Sequence, residues 1–120
     1  MLASVVVSRM ASSVVSCWAC FWAEMSCIAG VASDVKPLVR TARSGRPILA
    51  LDGCALHCVR HALARQEVRP RVHVDFSRHA VAKDLHRLPS AQECEASWHS
   101  VVLPALETLL QDGGPAAQPA

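Results

Sequence analysis

An apolar run at residues 47–51 constrains the fold of this 120-residue chain more than any other segment. The run shows no alternation with polar residues. Strands of this kind are buried on both faces, which is typical of parallel sheets. Asp52 and Gly53 then turn the chain. The run therefore predicts an internal strand of an α/β domain, with helices packed on both sides of its sheet.

The neighbouring segments predict more strands and helices in alternation. Residues 23–29 and 72–76 are short and mostly apolar, as strands are, whereas residues 35–43 and 54–66 fit helices. The order strand, helix, strand, helix, strand favours right-handed crossovers and a sheet covered on both faces. Residues 2–22 fit either a hydrophobic helix or a strand at residues 4–8 followed by a helix. We therefore predict a small three-layer α/β domain with a mostly parallel sheet and flanking helices.

The chain is long enough for one domain and too short for two, so a single domain is expected over residues 1–112. Residues 113–120 lack a core-forming pattern and are expected to form a flexible tail. The last helix is predicted to begin at Ser90, which matches a capping box with Glu93, and to end near residue 110. Pro104 is expected to kink it. One stripe of this helix is apolar: Trp98, Val101, Val102, Ala105 and Leu109.

Composition excludes several partners and locations. The formal net charge is +2 and the basic side chains are scattered, so neither nucleic acid nor a membrane surface is an expected partner. No stretch reaches about 18 uninterrupted apolar residues, so no membrane span is expected. Arg9 is the first charged residue, which does not fit a signal peptide. With 52% hydrophobic residues the core needs no disulfides, so the six cysteines are expected to be reduced and the location cytoplasmic.

Three cysteines are predicted to converge at one edge of the sheet. Cys54 and Cys58 lie four positions apart on the predicted helix, where two thiolates can reach one ion. Cys27 lies near the end of the preceding strand. If the two strands are parallel neighbours, both of their C-terminal ends open on the edge where ligands bind. The pattern therefore predicts that Cys27, Cys54 and Cys58 form a thiolate cluster that binds zinc.

The other candidate ligands have weaker support. His57 lies between two of these cysteines, and its neutral imidazole can complete the zinc shell or support it from outside. His61 is expected to pack or to face solvent, because four ligands along one short helix cannot surround one ion. Cys17 and Cys20 have the spacing of a redox or zinc pair but not its strand-to-helix context. Cys94 is expected to be a small apolar residue.

No sequence motif assigns a reaction. A Gly-rich phosphate loop and a Gly-x-Ser-x-Gly elbow are both absent from the sequence. Asp52 and Asp75 fall at strand ends and could act as bases, but an aspartate at such a position is more often a turn former or a helix cap. Whether the chain is an enzyme therefore stays open.

Three segments stand out together: AEMSCIAG at residues 23–30, KPLV at 36–39 and ILALDGCALHC at 48–58. They resemble the DGC-domain family, which takes its name from the triplet seen here as Asp52-Gly53-Cys54. The resemblance covers roughly residues 23–80 and implies a cysteine-based zinc site with Cys27, Cys54 and Cys58, without an established reaction. Family members usually begin with a strand that leads into a Cys-x-Gly-Cys or similar motif. Residues 1–22 diverge from that pattern, which implies a missing first strand and an open metal site.

The expected function is therefore zinc binding by a cysteine cluster, with metal handling or sensing as the role. The alternative is a thiol redox enzyme or sensor that uses Cys54 with Cys58 or Cys27, in which case metal is incidental. A third hypothesis is a degenerate or truncated paralogue that forms a homo-oligomer through an exposed sheet edge.

Overall fold

Within residues 4–7, 24–79 and 86–111, which this computed structural model describes, four strands form one sheet. They are β1 (Ser4–Val7), β2 (Glu24–Ser26), β3 (Ile48–Asp52) and β4 (Val72–Asp75), in the order β2-β1-β3-β4. β1 is antiparallel to both β2 and β3, whereas β3 and β4 are parallel. The prediction of a small α/β domain is confirmed. The sheet itself is mixed: three of the four strands run in the same direction, but β1 lies between β2 and β3, so that two of the three strand pairs are antiparallel and β3–β4 is the parallel pair.

The N-terminal strand β1 lies inside the sheet. Val5 pairs with Ser26 of β2 on one side and with Ala50 of β3 on the other. Of the two alternatives for the start of the chain, the structure therefore supports the strand. The helix expected after it, Cys17, Cys20 and the tail at residues 113–120 all lie outside the described residues.

β3 is buried along its whole length, as the apolar run predicts. Ile48 and Ala50 pack on the face covered by α1 (Ile28–Ala32), α2 (Lys36–Ala42) and α3 (Cys58–Arg65). Leu49 and Leu51 pack on the opposite face, against the C-terminal helical segment. A strand covered on both faces is the middle of three layers, so the domain has a helix–sheet–helix architecture.

The segment at residues 23–29 is only partly a strand. β2 ends at Ser26 and α1 begins at Ile28, so Gly30 lies inside a short helix. A β-carbon at Gly30 would collide with Cδ1 of Leu38 in α2. The glycine therefore allows close packing of α1 against α2, and β2 is shorter than the segment that was predicted to be a strand.

The C-terminal helical segment contains α4 (Ala91–Ser97), a π-helical turn (Trp98–Val102) and α5 (Leu103–Gln111). The capping box is confirmed, because Ser90 Oγ accepts from Glu93 N at 3.2 Å and Glu93 Oε2 accepts from Ser90 N at 2.7 Å. The π turn ends two residues before Pro104, whose ring cannot fit a regular helix interior. Trp98 is 42% exposed, so it lies outside the buried stripe. None of the helices in the described part of the chain is long and apolar enough to cross a membrane.

Candidate functional site

Two buried carboxylates lie side by side at one edge of the sheet. Asp52 ends β3, Asp75 ends β4, and the two residues are partners in the register of these parallel strands. Their exposed fractions are only 2% and 6%. A buried carboxylate requires hydrogen-bond donors. The donors that surround Asp52 and Asp75 therefore define the polar site at this edge.

Asp52 caps α3 although it lies several residues before the helix in the sequence. Its Oδ1 accepts from Val59 N at 2.8 Å and its Oδ2 from Arg60 N at 3.3 Å. These amides belong to the first turn of α3, where the N–H groups have no partner within the helix. His57, the N-cap residue, makes no side-chain capping bond. The prediction that Asp52 acts as a helix cap is confirmed.

This cap also corrects the predicted start of the helix. Sequence patterning places the helix at residues 54–66, whereas α3 begins at Cys58. Asp52 holds the first turn in place, and His57 has the left-handed backbone angles φ 52° and ψ 45°, which no α-helix can continue through. Cys54 therefore precedes α3 and Cys58 opens it. The prediction that both cysteines lie on one helix is wrong.

Asp75 is held by a second set of donors. Ser77 donates to Oδ1 through its hydroxyl and, at 2.9 Å, through its backbone amide. His57 Nε2 lies 2.9 Å from Oδ2. The hydroxyl of Ser77, followed by His57, lowers the pKa of Asp75 from 3.8 to about 2. Asp75 is therefore a carboxylate at neutral pH.

Each of the two carboxylates is paired with one histidine, and the pairs cross between the two strands. His57 bonds to Asp75, and His73 Nε2 lies 2.8 Å from Asp52 Oδ2. The two imidazole rings meet edge to face, with centroids 4.9 Å apart. Sequence reasoning missed His73. The signal that could have found it is its spacing of two from Asp75, which puts both side chains on one face of a strand.

Acid is expected to destabilise the parent protein more than an Asp75→Asn variant. Because the folded pKa of Asp75 lies below its ordinary value of 3.8, its stabilisation is present above that pH and is lost as pH falls through about 2. The difference in melting temperature between the parent and the variant should therefore shrink as the pH falls from about 5 to about 2. Thermal unfolding followed by circular dichroism measures it in metal-free protein. A difference independent of pH would contradict this assignment.

The predicted metal ligands occupy this same edge without being gathered at one point. Cys27 directly follows β2 and is exposed, Cys54 follows β3 and is half-buried, and Cys58 is exposed. β2 and β3 run in the same direction, so both end at one edge, but they are not neighbours because β1 lies between them. In residues 4–7, 24–79 and 86–111, no three Cys, His, Asp or Glu side chains are close enough to hold a metal ion.

The remaining cysteine and histidine candidates lie elsewhere. Cys94 is exposed on α4, so the expectation of a buried apolar role is wrong. The helix that carries it presents no buried residue to the core. His61 is exposed on α3, as expected. Both residues provide surface positions for comparison with the cysteines at the sheet edge.

Comparison with known proteins decides the family. The sequence model of the DGC domain matches residues 4–101, which is well over half of the chain. The chain belongs to the DGC domain family. The match begins at β1, so the N-terminal strand is part of this DGC domain, and the expectation that the first strand is missing is wrong. The resemblance noted over roughly residues 23–80 is thereby confirmed and extended at both ends.

One relative of this DGC domain is the Anaerobic and virulence modulator AnvM of Pseudomonas aeruginosa. The two sequences are 54% identical over 92 residues, which are 77% of this chain and 66% of AnvM. The chain therefore spans slightly less than two thirds of that relative. No solved structure matches the chain significantly.

The donor chemistry of this DGC domain fits zinc better than an oxygen-preferring cation. In the family triplet, Asp52 caps α3, Cys54 supplies a free thiol, and a β-carbon at Gly53 would meet nothing within 4 Å. Asp52 and Asp75 already accept several internal hydrogen bonds, which leaves little carboxylate oxygen for Mg²⁺ or Ca²⁺. Thiolates and imidazoles are the ligands that zinc prefers.

Proposed function

We propose that the chain binds zinc through the thiolates of Cys27, Cys54 and Cys58 and acts in metal handling or sensing. One observation carries the proposal: three free cysteines from separate segments lie at the edge where β2 and β3 end. This is the edge at which α/β sheets bind ligands. Fewer than four thiolates leave a coordination position for another donor or for an exchanging ligand.

The exposure of the thiols supports exchangeable rather than purely structural zinc. Cys27 and Cys58 are exposed and Cys54 is half-buried, so metal chelators can reach all three. The thiols are separate in the structure, and zinc binding draws them together from the segments after β2 and β3. Bringing the ligands together costs free energy that a preformed site does not require, which lowers affinity and favours release.

The name of the relative AnvM describes a modulator. We carry this over to the chain as part of the proposal, in the form of a sensing role in which zinc occupancy is the signal.

Zinc content tests the proposal. We expect about one zinc per chain in the purified parent, because one cluster binds one ion. Elemental mass spectrometry measures the zinc content. The Cys54→Ser variant should bind zinc at least about tenfold more weakly, because a neutral hydroxyl replaces a thiolate ligand. Cys94→Ser is the matched control, because Cys94 is an exposed cysteine on α4. Its zinc content should equal that of the parent.

Two outcomes would contradict the proposal. A parent without bound zinc that also fails to take up added zinc would exclude it, as would equal zinc retention by the Cys54→Ser and Cys94→Ser variants. If zinc-free parent protein instead forms a disulfide between Cys54 and Cys58 or Cys27 in mild peroxide, the thiol redox alternative gains support. Mass spectrometry of the digested protein locates that disulfide.

A further inference from the structure

A shallow groove runs beside α2 and ends at the last turn of α3. Its volume is about 780 Å³, which is within the range of sites that bind ligands. The residues that line it are separate from the candidate zinc ligands. Four of them lie on α2 or directly after it, and three lie outside it: Lys36, Val39, Arg40 and Arg43, with Asp34, Ser44 and Gln66. The lining therefore contains three cationic side chains and one carboxylate.

The three cations form one stripe on α2. Positions 36, 40 and 43 are separated by four and three residues, so their side chains leave the helix on the same face. Leu38 and Ala42, which pack into the core, lie on another face. The stripe extends about 10 Å along the helix axis. The helix α2 therefore presents a row of positive charge along the groove.

The stability of α2 does not explain this row of charge. Like charges four positions apart destabilise a helix, and Lys36 in the first turn opposes the helix dipole. Within the described part of the chain, neither Lys36 nor Arg40 forms an ion pair. All three cationic side chains are exposed. A row of exposed cations that costs the helix stability is typical of a surface that attracts an anionic partner.

Buried Gln66 fixes the geometry at one end of the groove. Its side chain is only 5% exposed and donates through Nε2 to the carbonyl oxygen of Val31, at 3.1 Å, and to Oδ1 of Asp34. Arg43 Nε donates to the carbonyl oxygen of Gln66 at 3.0 Å. These bonds orient the guanidinium of Arg43 and direct one oxygen of the carboxylate in the groove towards Gln66.

We propose that this groove binds an extended acidic segment of a partner protein. Alternate side chains of an extended chain lie on one face, about 6.6 Å apart. Lys36 and Arg40 are separated by about 6 Å along the helix axis, so carboxylates at every second position of the segment can pair with them. Val39 lies on the same side of the helix and offers the segment an apolar contact. The proposal does not depend on zinc binding.

Two other kinds of anion fit the groove less well. Proteins that bind single-stranded nucleic acid use aromatic side chains on which the bases stack, and none of the described lining residues is aromatic. A compact ion such as phosphate would contact only part of a stripe that is about 10 Å long. The open shape and the spread of the charge therefore favour a polypeptide segment.

Binding of a synthetic peptide to the full-length chain tests the proposal. The peptide contains serine, with glutamate at every second position, and in the control peptide glutamine replaces each glutamate. The acidic peptide should bind with a Kd below about 1 mM at about 0.15 M salt, and at least about tenfold more weakly at about 1 M salt, because salt screens exposed charges. The glutamine peptide should not bind. Fluorescence anisotropy of the labelled peptides measures both affinities.

Charge reversal shows which surface binds the peptide. The double variant Lys36→Glu/Arg40→Glu should weaken binding at least about tenfold, because two attractions become repulsions. Arg65→Glu/Arg69→Glu is the matched control, since it changes the net charge equally at two exposed cations outside the groove, and it should change the affinity less than about threefold.

A second groove variant keeps the test decisive if charge reversal impairs folding. Lys36→Gln/Arg40→Gln removes the two charges without adding repulsion, so its affinity for the acidic peptide should lie between those of the parent and the reversed variant. Circular dichroism checks that each variant is folded.

Four results would overturn the proposal. The first is a parent that does not bind the acidic peptide, and the second is equal weakening by the groove and control variants, which would indicate a general effect of charge. In the third, an oligonucleotide of deoxythymidine binds the parent as tightly as the peptide does, and the groove variant weakens it equally, which would assign the groove to nucleic acid. In the fourth, the parent self-associates and the groove variant does not, which would assign the groove to a second copy of the chain.

Discussion

Replacing Asp52 with alanine is expected to lower the free energy of unfolding by about 3–5 kcal/mol, because a buried carboxylate at the end of β3 loses all of its hydrogen bonds. The substitution removes the acceptor of Val59 N and Arg60 N in the first turn of α3 and the partner of His73. Loss of a helix cap costs about 1 kcal/mol, and each buried donor left without a partner costs about 1–3 kcal/mol.

Urea denaturation measures this loss, and two variants serve as controls. Asp52→Asn keeps an oxygen that can accept a hydrogen bond from Val59 N. Its free energy of unfolding should therefore lie between that of the parent and that of Asp52→Ala. Glu107→Ala removes an exposed carboxylate on α5 and should change stability by no more than about 0.5 kcal/mol. If Asp52→Ala is as stable as Glu107→Ala, the capping role of Asp52 is wrong.

Leu49→Ala is expected to cost about 3–4 kcal/mol, because it opens a cavity in a core that cannot fully collapse. Leu49 is completely buried in β3 and packs with Val74, Val101 and Leu106 on the face covered by the C-terminal helical segment. The substitution removes apolar contacts but no hydrogen bond, so its effect is one of packing alone.

Leu88→Ala is the matched control for this packing prediction. Leu88 is 88% exposed, so the same chemical change should alter the free energy of unfolding by no more than about 0.5 kcal/mol. Urea denaturation with an unchanged slope would show that only stability differs between the two variants. Similar small effects for both substitutions would show that β3 is not the middle layer of the domain.

Local patterns predicted the parts of the fold that local interactions determine. The apolar run gave β3, and the Ser90–Glu93 spacing gave the capping box, because both depend on residues close in sequence. The start of α3 could not be read in this way. Its cap, Asp52, acts over seven positions, and no helix-cap pattern covers that distance.

The cysteines of the site were predicted from strand ends, but neither carboxylate–histidine pair was predicted. His57 was a candidate because it lies between two cysteines in sequence. The spacing of two between His73 and Asp75 places both on one face of a strand, but the contact of the His73 ring with Asp52 and His57 follows from the pairing of β4 with β3. The ambiguity of residues 2–22 has a related cause, since periodicity in an apolar segment does not distinguish a strand from a helix.

The central position of β1 has a consequence for the order in which the molecule forms. β1 is synthesised before the other described strands, yet its pairing with β3 joins residues more than 40 positions apart. β2 pairs only with β1 among the described strands, so that pair must dock onto a β3 that is synthesised later. Closing such long loops slows folding. The nascent chain therefore carries an incomplete sheet until β3 and β4 have emerged, and deletion of residues 4–7 would remove the strand that joins β2 to β3.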